Sequence, residues 1–233
     1  MKKSLLKNLE HICKIMKEEN HIWENYNNLL LSHDISRIRK ILARYELFKK
    51  TVNIPGDIVE CGVFKGVSFM FWLKCLKIFS PNSKKKVIGF DMFSGFPKNL
   101  KNAEKLSAKK YVKTSNFKGV NPKDLSKKAI KIINGDKFEF VKGDVVKTSK
   151  SYVSKNYGFK ISLLHLDLDT YNGTKSALIN FFPKLSKGGI VILDEYGSRG
   201  WGETEAVDEF LKEKKYKVNL LDNTESPTGY IIK

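Results

Sequence analysis

Short apolar runs that end in acidic residues constrain the fold of this chain more than any other feature. Five such runs lie at 57–62, 85–92, 138–144, 161–169 and 188–197. Stretches with helical spacing of apolar residues lie between these runs at 67–79 and 170–185, and after the last run at 203–214. Continuous apolar strands that alternate with helices are typical of a parallel sheet covered on both faces. The pattern therefore predicts an α/β fold in which helices cover both faces of a parallel sheet.

Two further runs complete the predicted sheet. They lie at 217–223 and 228–233, with a turn at 225–229 between them, and so predict a closing hairpin. Residues 1–50 show helical periodicity and are predicted to be an N-terminal helical extension. We expect a main domain at 51–233: a three-layer α/β sandwich with a seven-stranded, mostly parallel sheet and one antiparallel strand.

The net charge of +18 suggests an anionic partner, such as nucleic acid, an anionic membrane surface or an acidic ligand. However, only four of the 43 basic residues are arginine, the residue that grips guanine edges and phosphates in pairs. We therefore interpret most of the positive charge as a feature of the overall lysine-rich composition rather than as a nucleic-acid-binding site. Half of it lies in an insertion at 98–131, where eleven lysines face only Glu104 and Asp124. This insertion is either a lid that clamps a bound ligand or a solvated loop.

The three cysteines, Cys13, Cys61 and Cys75, are too few for a disulfide scaffold and show no metal-type spacing. They favour a reduced, cytoplasmic protein. Charged residues interrupt every apolar stretch near the N-terminus, so we expect no signal peptide. The most apolar segment, at 67–79, is too short to span a bilayer.

The turn after the first strand run carries a candidate ligand site. Gly62 and Gly66 permit a tight turn, and the free N–H groups of the following helix can hold a carboxylate. The next two runs end at Asp91 and Asp144, and Asp91 is placed to accept hydrogen bonds from a ribose. Because position 64 is Phe, the dinucleotide motif Gly-x-Gly-x-x-Gly is absent. The pattern indicates a single nucleoside that carries a carboxylate, although the glycines could serve the backbone turn alone.

Four acids follow the fourth and fifth runs: Asp167, Asp169, Asp194 and Glu195. Neighbouring parallel strands lie about 4.8 Å apart, so acids at their ends converge. So many carboxylates cannot all remain ionised without a cation, and oxygen-only ligands suit Mg²⁺. The alternative is that each acid caps a helix or pairs with a lysine.

These segments resemble the macrocin O-methyltransferase family of class I enzymes that use S-adenosylmethionine (SAM). The likeness covers about residues 37–210 and rests on IPGDIVECGVFKGVS, VIGFDMFSGFP, LLHLDLDTYNGTKSAL and KLSKGGIVILDEYG. It implies a Rossmann-like fold, and methylation of sugar hydroxyls on natural products or glycans.

The resemblance also implies roles for individual residues. It places Glu60, Gly62, Gly66 and Ser68 around the methionine part of SAM, Asp91 at the ribose and Asp144 at the adenine amino group. It makes Asp167, Asp194 and Glu195 the metal ligands and Asp169 the general base.

We therefore expect a SAM-dependent O-methyltransferase, with Mg²⁺ as a second cofactor, acting on a sugar or a sugar-bearing small molecule. An anionic acceptor such as a nucleotide sugar, and a homo-oligomer, are both compatible with the sequence. Two alternatives stay open: an RNA or nucleotide-linked methyltransferase, and a non-catalytic anion-binding protein with the same fold. We interpret His165 as a core histidine, and Trp201, Tyr171 and Arg199 as weaker candidates for acceptor contacts.

Overall fold

The computed structural model describes residues 2–221 and 225–233, with side chains from residue 13 onward. The chain divides into two compact units, Met1–Arg39 and Lys40–Lys233. The helices are α1 (Lys2–Leu31), α2 (Ser36–Thr51), α3 (Val67–Phe79), α4 (Asn102–Ser115), α5 (Pro122–Ile130), α6 (Val145–Lys155), α7 (Tyr171–Phe181) and α8 (Glu203–Leu211). The strands are β1 (Asp57–Cys61), β2 (Val87–Asp91), β3 (Phe138–Lys142), β4 (Ile161–Leu166), β5 (Leu185–Leu193), β6 (Asn219–Leu220) and β7 (Gly229–Ile232).

The strands form one seven-stranded sheet in the order β3-β2-β1-β4-β5-β7-β6. Strands β1 to β5 pair in parallel, whereas β7 runs antiparallel to both β5 and β6. The predicted fold class is therefore confirmed, including the closing hairpin. Part of the predicted run 217–223 lies outside the described residues. The strand order reverses direction between β1 and β4, and in open α/β sheets ligands bind beside such a point.

Alternate strand residues bury opposite faces of the sheet. On β1, Ile58 belongs to a core with Phe69 and Trp72 of α3, whereas Val59 belongs to a second core with Phe181 of α7. This alternation follows from the two-residue period of a strand and produces the helix–sheet–helix sandwich. The rigid sheet fixes the strand ends on which the candidate site is built.

The lysine-rich insertion is folded into α4 and α5, two helices that the sequence pattern did not predict. It is anchored by a few inward residues, among them Glu104 and Ala108 of α4 and Leu125 and Ala129 of α5. Most of its lysines are exposed. Within the described chain, no helix combines the length and apolar character that a membrane crossing requires.

Candidate active site

The site is built on the carboxyl ends of β4 and β5, which are neighbours in the sheet. Asp167 follows β4, and its N–H donates to the carbonyl of Cys61 at 2.8 Å. Asp194 follows β5, and its N–H donates to the carbonyl of Leu166 at 3.1 Å. The ladder bonds thus continue past the strand ends and hold both acids at one edge.

Asp194 is buried and is surrounded by donors. Its Oδ2 lies 3.1 Å from Lys40 Nζ and accepts from the hydroxyl of Ser226. Its Oδ1 lies 3.4 Å from Arg44 Nη2 and 3.1 Å from His165 Nε2. Burial disfavours the charge, but the hydrogen bond to His165 and the two cations lower the pKa of Asp194 below its usual range. An ionised carboxylate only accepts, so His165 Nε2 carries the proton of this bond.

The pKa values of Asp167 and Asp169 shift upward, opposite to that of Asp194. Burial, with the negative charge of Asp194 and Asp169, raises the pKa of Asp167 well above its usual range. Burial, with Glu195 and Asp194, raises the pKa of Asp169 to about 8. The two carboxyls therefore hold their protons near neutral pH until a cation or a donor approaches.

Backbone strain marks the position of Asp169. Its φ is +61°, in the left-handed region that non-glycine residues rarely adopt, although Asp and Asn tolerate it best. The carbonyl of Asp169 accepts from the N–H of Gly202 at 2.9 Å. Such strained residues cluster at functional sites, where the surrounding structure holds them in place.

The acidic residues after β4 and β5, which we call the acid edge, lie close enough together to hold a divalent cation. Ligand atoms of His165, Asp167 and Asp194 lie within 4.8 Å of one another. Burial and, after it, the negative charge of Asp194 and Asp169 raise the pKa of Asp167, a shift that a bound cation would oppose. Among the described residues, Glu195 lies outside this group of three, and it hydrogen-bonds to Ser198. The residues present therefore fit a cation held by Asp167 and Asp194.

A buried polar chain continues from the acid edge to the turn after β1. Glu60 is fully buried at the end of β1 and accepts from the hydroxyl of Ser68 in the first turn of α3. Its Oε1 lies 3.9 Å from His165 Nδ1, and His165 bonds Asp194 on its other side. Burial raises the pKa of Glu60 to about 8 and lowers the pKa of His165 to about 4. At neutral pH both groups are mostly uncharged.

Both glycines of the turn adopt left-handed backbone conformations. A Cβ on Gly62, where φ is +95°, would lie 1.7 Å from the carbonyl oxygen of Asp167. A Cβ on Gly66, where φ is +85°, would lie 2.8 Å from Leu125 of the insertion. Gly62 therefore serves the close approach of two strand ends, and Gly66 permits α5 to pack over the turn.

The start of α3 suits an anionic ligand. Among the residues that the structure describes, no side chain caps its first turn, and that turn contains no acidic residue. The N–H groups of an uncapped first turn remain available as donors, and the helix dipole favours negative charge there. The predicted carboxylate-binding position is therefore compatible with the structure.

The acids after β2 and β3 already accept backbone hydrogen bonds. Asp91 accepts from the N–H of Phe64 at 2.9 Å and of Phe93 at 2.5 Å. Burial raises its pKa, and these bonds partly oppose the shift. Asp144 is the N-cap of α6 and accepts from Val146 N at 3.0 Å. Each carboxylate is therefore held in a fixed direction at its strand end.

Aromatic residues lie beside the acids and connect the insertion to two loops. Phe96 stacks on Trp201 with ring centroids 5.5 Å apart, and Tyr111 of α4 contacts both rings. Burial, with the charge of the neighbouring acids, raises the pKa of Tyr111 to about 12. We call Phe96, Tyr111 and Trp201 the aromatic wall. Of the other predicted acceptor contacts, Tyr171 hydrogen-bonds Glu209, and Arg199 is exposed.

Several residues of this region were not found by sequence reasoning. Glu104 accepts from the backbone N–H of Tyr171 at 2.6 Å, and Glu203 accepts from that of Glu195 at 3.0 Å; both are buried. These acids brace the loops that carry the site. The sequence does contain one indication of the importance of Arg44, because it is one of only four arginines in a lysine-rich chain.

Comparisons with known proteins identify a family, related sequences and a related fold. The model of the macrocin-O-methyltransferase family matches residues 35–226. The crystal structure of a calicheamicin methyltransferase superimposes with a TM-score of 0.78 and 26% identity, covering 91% of this chain and 85% of that chain.

Two curated relatives are similar over 148 residues, which is 62% of this chain. One is the 8-demethyl-8-(2,3-dimethoxy-alpha-L-rhamnosyl)-tetracenomycin-C 4'-O-methyltransferase of Streptomyces olivaceus, at 27% identity over 54% of its length. The other is the mycinamicin III 3''-O-methyltransferase of Micromonospora griseorubida, at 26% identity over 56% of its length. The chain thus spans about half the length of the curated relatives it matches.

Proposed function

The chain belongs to the macrocin O-methyltransferase family, and we propose that it is a SAM-dependent O-methyltransferase acting on a hydroxyl of a sugar or a sugar-bearing small molecule. The convergence of Asp167, Asp169 and Asp194 beside the uncapped turn of α3 carries this proposal. Both curated relatives are named as O-methyltransferases, and the name of the first contains a rhamnosyl group.

The cofactor would lie along the carboxyl ends of β1, β2 and β3. The N–H groups at the start of α3 would hold its carboxylate, with Glu60, Gly62, Gly66 and Ser68 around the methionine part. Asp91 would accept from the ribose hydroxyls and Asp144 from the adenine amino group. Since backbone N–H groups already fix the direction of both carboxylates, little side-chain entropy would be lost on binding.

When bound, SAM supplies an electrophilic methyl group on a sulfonium, and Mg²⁺ supplies positive charge that orients the acceptor hydroxyl and lowers its pKa. Asp167 and Asp194 would hold the metal, and Glu195 is the third ligand that the family resemblance implies. Asp169 would take the hydroxyl proton as the new C–O bond forms and the C–S bond breaks. A base with a pKa of about 8 is well matched to a proton transfer near neutral pH, once a neighbouring cation favours its ionised form.

The aromatic wall is the candidate acceptor contact. Its rings lie beside the acids, and an aromatic face packs well against the C–H face of a sugar. The exposed lysines of the insertion add positive charge close to this wall. We therefore propose that the acceptor can be anionic, as a nucleotide sugar is.

The proposal can be tested with purified protein. SAM should raise the melting temperature. Radiolabelled SAM should transfer its methyl group to members of a panel of nucleotide sugars, neutral glycosides and RNA. Activity should fall in excess chelator and return with Mg²⁺. Asp167→Asn should lose transfer while retaining the SAM-induced shift, whereas the exposed control Asp136→Asn should keep both.

Each part of the proposal has its own refutation. A SAM-independent melting temperature would reject the cofactor, and full activity in chelator would reject the metal. Transfer to RNA alone would favour the alternative that the net charge of +18 suggests. Transfer to neutral glycosides but not to nucleotide sugars would reject the anionic acceptor.

A further inference from the structure

Helix α1 carries a regular apolar stripe. Starting at Leu5, apolar residues recur at alternating intervals of four and three, and only Glu19 interrupts the series. The series is Leu5, Leu9, Ile12, Met16, Glu19, Trp23, Tyr26 and Leu30. A second row beside it contains Ile15, Ile22 and Leu29. This period of 3.5 residues is the signature of a helix that packs along another helix.

The stripe is open to solvent over the part of α1 whose side chains are described. Met16, Trp23, Tyr26 and Leu30 are each more than half exposed, and Ile22 is 68% exposed. A contiguous apolar surface on a 30-residue helix, about 45 Å long, is costly to leave in water. Away from these two rows the helix is polar except at Leu6, Cys13 and Leu31, so most of its apolar surface lies on one face.

Charge is divided along α1 in an unusual way. Residues 2–17 contain five lysines and one glutamate, whereas residues 18–31 contain three glutamates and no lysine or arginine. The first turn has no acid and the last turn has no base. This is the reverse of the order that the helix dipole favours, so the helix gains nothing from it alone.

We propose that α1 pairs with α1 of a second copy of this chain in an antiparallel arrangement. In that arrangement the basic half of each helix lies beside the acidic half of the other, and both apolar stripes are buried. A parallel pair would place like charges together. The helix carries a net charge of only +1, although the whole chain carries +18, so two copies can approach at this element with little repulsion.

The oligomeric state of the full chain tests the pairing. Sedimentation at micromolar concentration should give the mass of a dimer. Trp23→Ser with Leu30→Ser should give a monomer, with unchanged thermal unfolding of the methyltransferase domain. A monomeric mass for the unmodified chain would overturn the proposal, whether the stripe then packs on the same chain or against another protein.

Charge reversal tests the complementarity. Changing Glu18, Glu19 and Glu24 to Lys should abolish the dimer, because both halves of the helix then become basic. The matched control changes Asp136, Glu205 and Glu213 to Lys, which alters the charge of exposed sites elsewhere by a similar amount and should leave the dimer intact. Mixing the Glu18/Glu19/Glu24 variant with a Lys7→Glu, Lys14→Glu, Lys17→Glu variant should restore a heterodimer in native mass spectrometry. A dimer that survives the first triple change would refute the charge argument.

The orientation can be measured directly. Cys13 is exposed, whereas Cys61 and Cys75 are buried, so Cys13→Ser with Asn28→Cys leaves one reactive thiol for a spin label. In an antiparallel pair centred near the middle of α1, the two labels should be about 35 Å apart, from 1.5 Å per residue. A separation near 10 Å, the spacing of adjacent helices, would mean a parallel pair and would overturn the proposal.

Discussion

Arg44 and Lys40 approach the same carboxylate from one helix, but they should contribute unequally to stability. Arg44 lies 3.4 Å from Asp194 and has 9% of its side chain exposed, whereas Lys40 lies 3.1 Å away and has 25% exposed. Removing one partner of a buried ion pair costs about 3–5 kcal/mol, because the remaining charge is left without compensation. Partly exposed pairs are worth about 1 kcal/mol or less, because water screens them.

We therefore expect Arg44→Met to lower the free energy of unfolding by about 3 kcal/mol, at the low end of the buried range, because Lys40, His165 and Ser226 still contact Asp194. Lys40→Met should cost about 1 kcal/mol. Methionine preserves most of the apolar stem in both cases. For a domain of this size, 1 kcal/mol corresponds to about 2–4 °C in melting temperature. The Arg44 variant should thus melt about 6–12 °C lower, and the Lys40 variant about 2–4 °C lower.

Differential scanning calorimetry at pH 7, in low and moderate salt, measures both effects. Added salt should reduce the effect of the Lys40 change and leave that of the Arg44 change nearly constant, because buried pairs are little screened. If the two variants melt at the same temperature, burial does not control the strength of these pairs and the reasoning is wrong.

Two further predictions concern the turn after β1. The pKa of Glu60 is raised to about 8, so the folded state holds this proton more tightly than the unfolded state does. The stability that this proton contributes is complete below about pH 4.5 and is lost as the pH rises toward 8. Glu60→Gln should therefore flatten the pH dependence of the free energy of unfolding, measured with urea, between pH 4.5 and 8. An unchanged pH dependence would contradict the raised pKa of Glu60. Gly62→Ala should cost about 3 kcal/mol or more, because its Cβ would lie 1.7 Å from the carbonyl oxygen of Asp167. Gly95→Ala is the matched control, since the φ of Gly95 is also positive but nothing lies within 4 Å of the added Cβ. Equal losses of stability in the two variants would show that the contact with Asp167 does not cause the destabilisation.

The sheet was predictable from the sequence because its strands are continuous apolar runs that must be covered on both faces. The predicted run 188–197 nevertheless extends beyond β5, which ends at Leu193. The acids that follow belong to the loop, where the backbone is set by hydrogen bonds to distant residues, such as that from the N–H of Asp194 to the carbonyl of Leu166. Local periodicity contains no information about such contacts.

Other parts of the structure depend on distant pairs that a sequence does not reveal. The helices of the insertion are held by a few buried residues such as Leu125, among many lysines, so their apolar pattern is weak. Arg44 and Asp194 are 150 positions apart, and the folded sheet brings them together. The convergence of acids after β4 and β5 was predictable because parallel strands bring their ends to one edge.

The left-handed backbone of Asp169 limits how this position can change during evolution. Only Gly, Asn and Asp adopt such a conformation at low cost, so most replacements would strain the loop as well as remove the carboxylate. A descendant of this chain that lost the proposed base yet kept the fold would therefore be expected to carry Asn or Gly at position 169. The same backbone makes Asp169→Asn the variant in which a loss of proton transfer can be separated from a loss of structure.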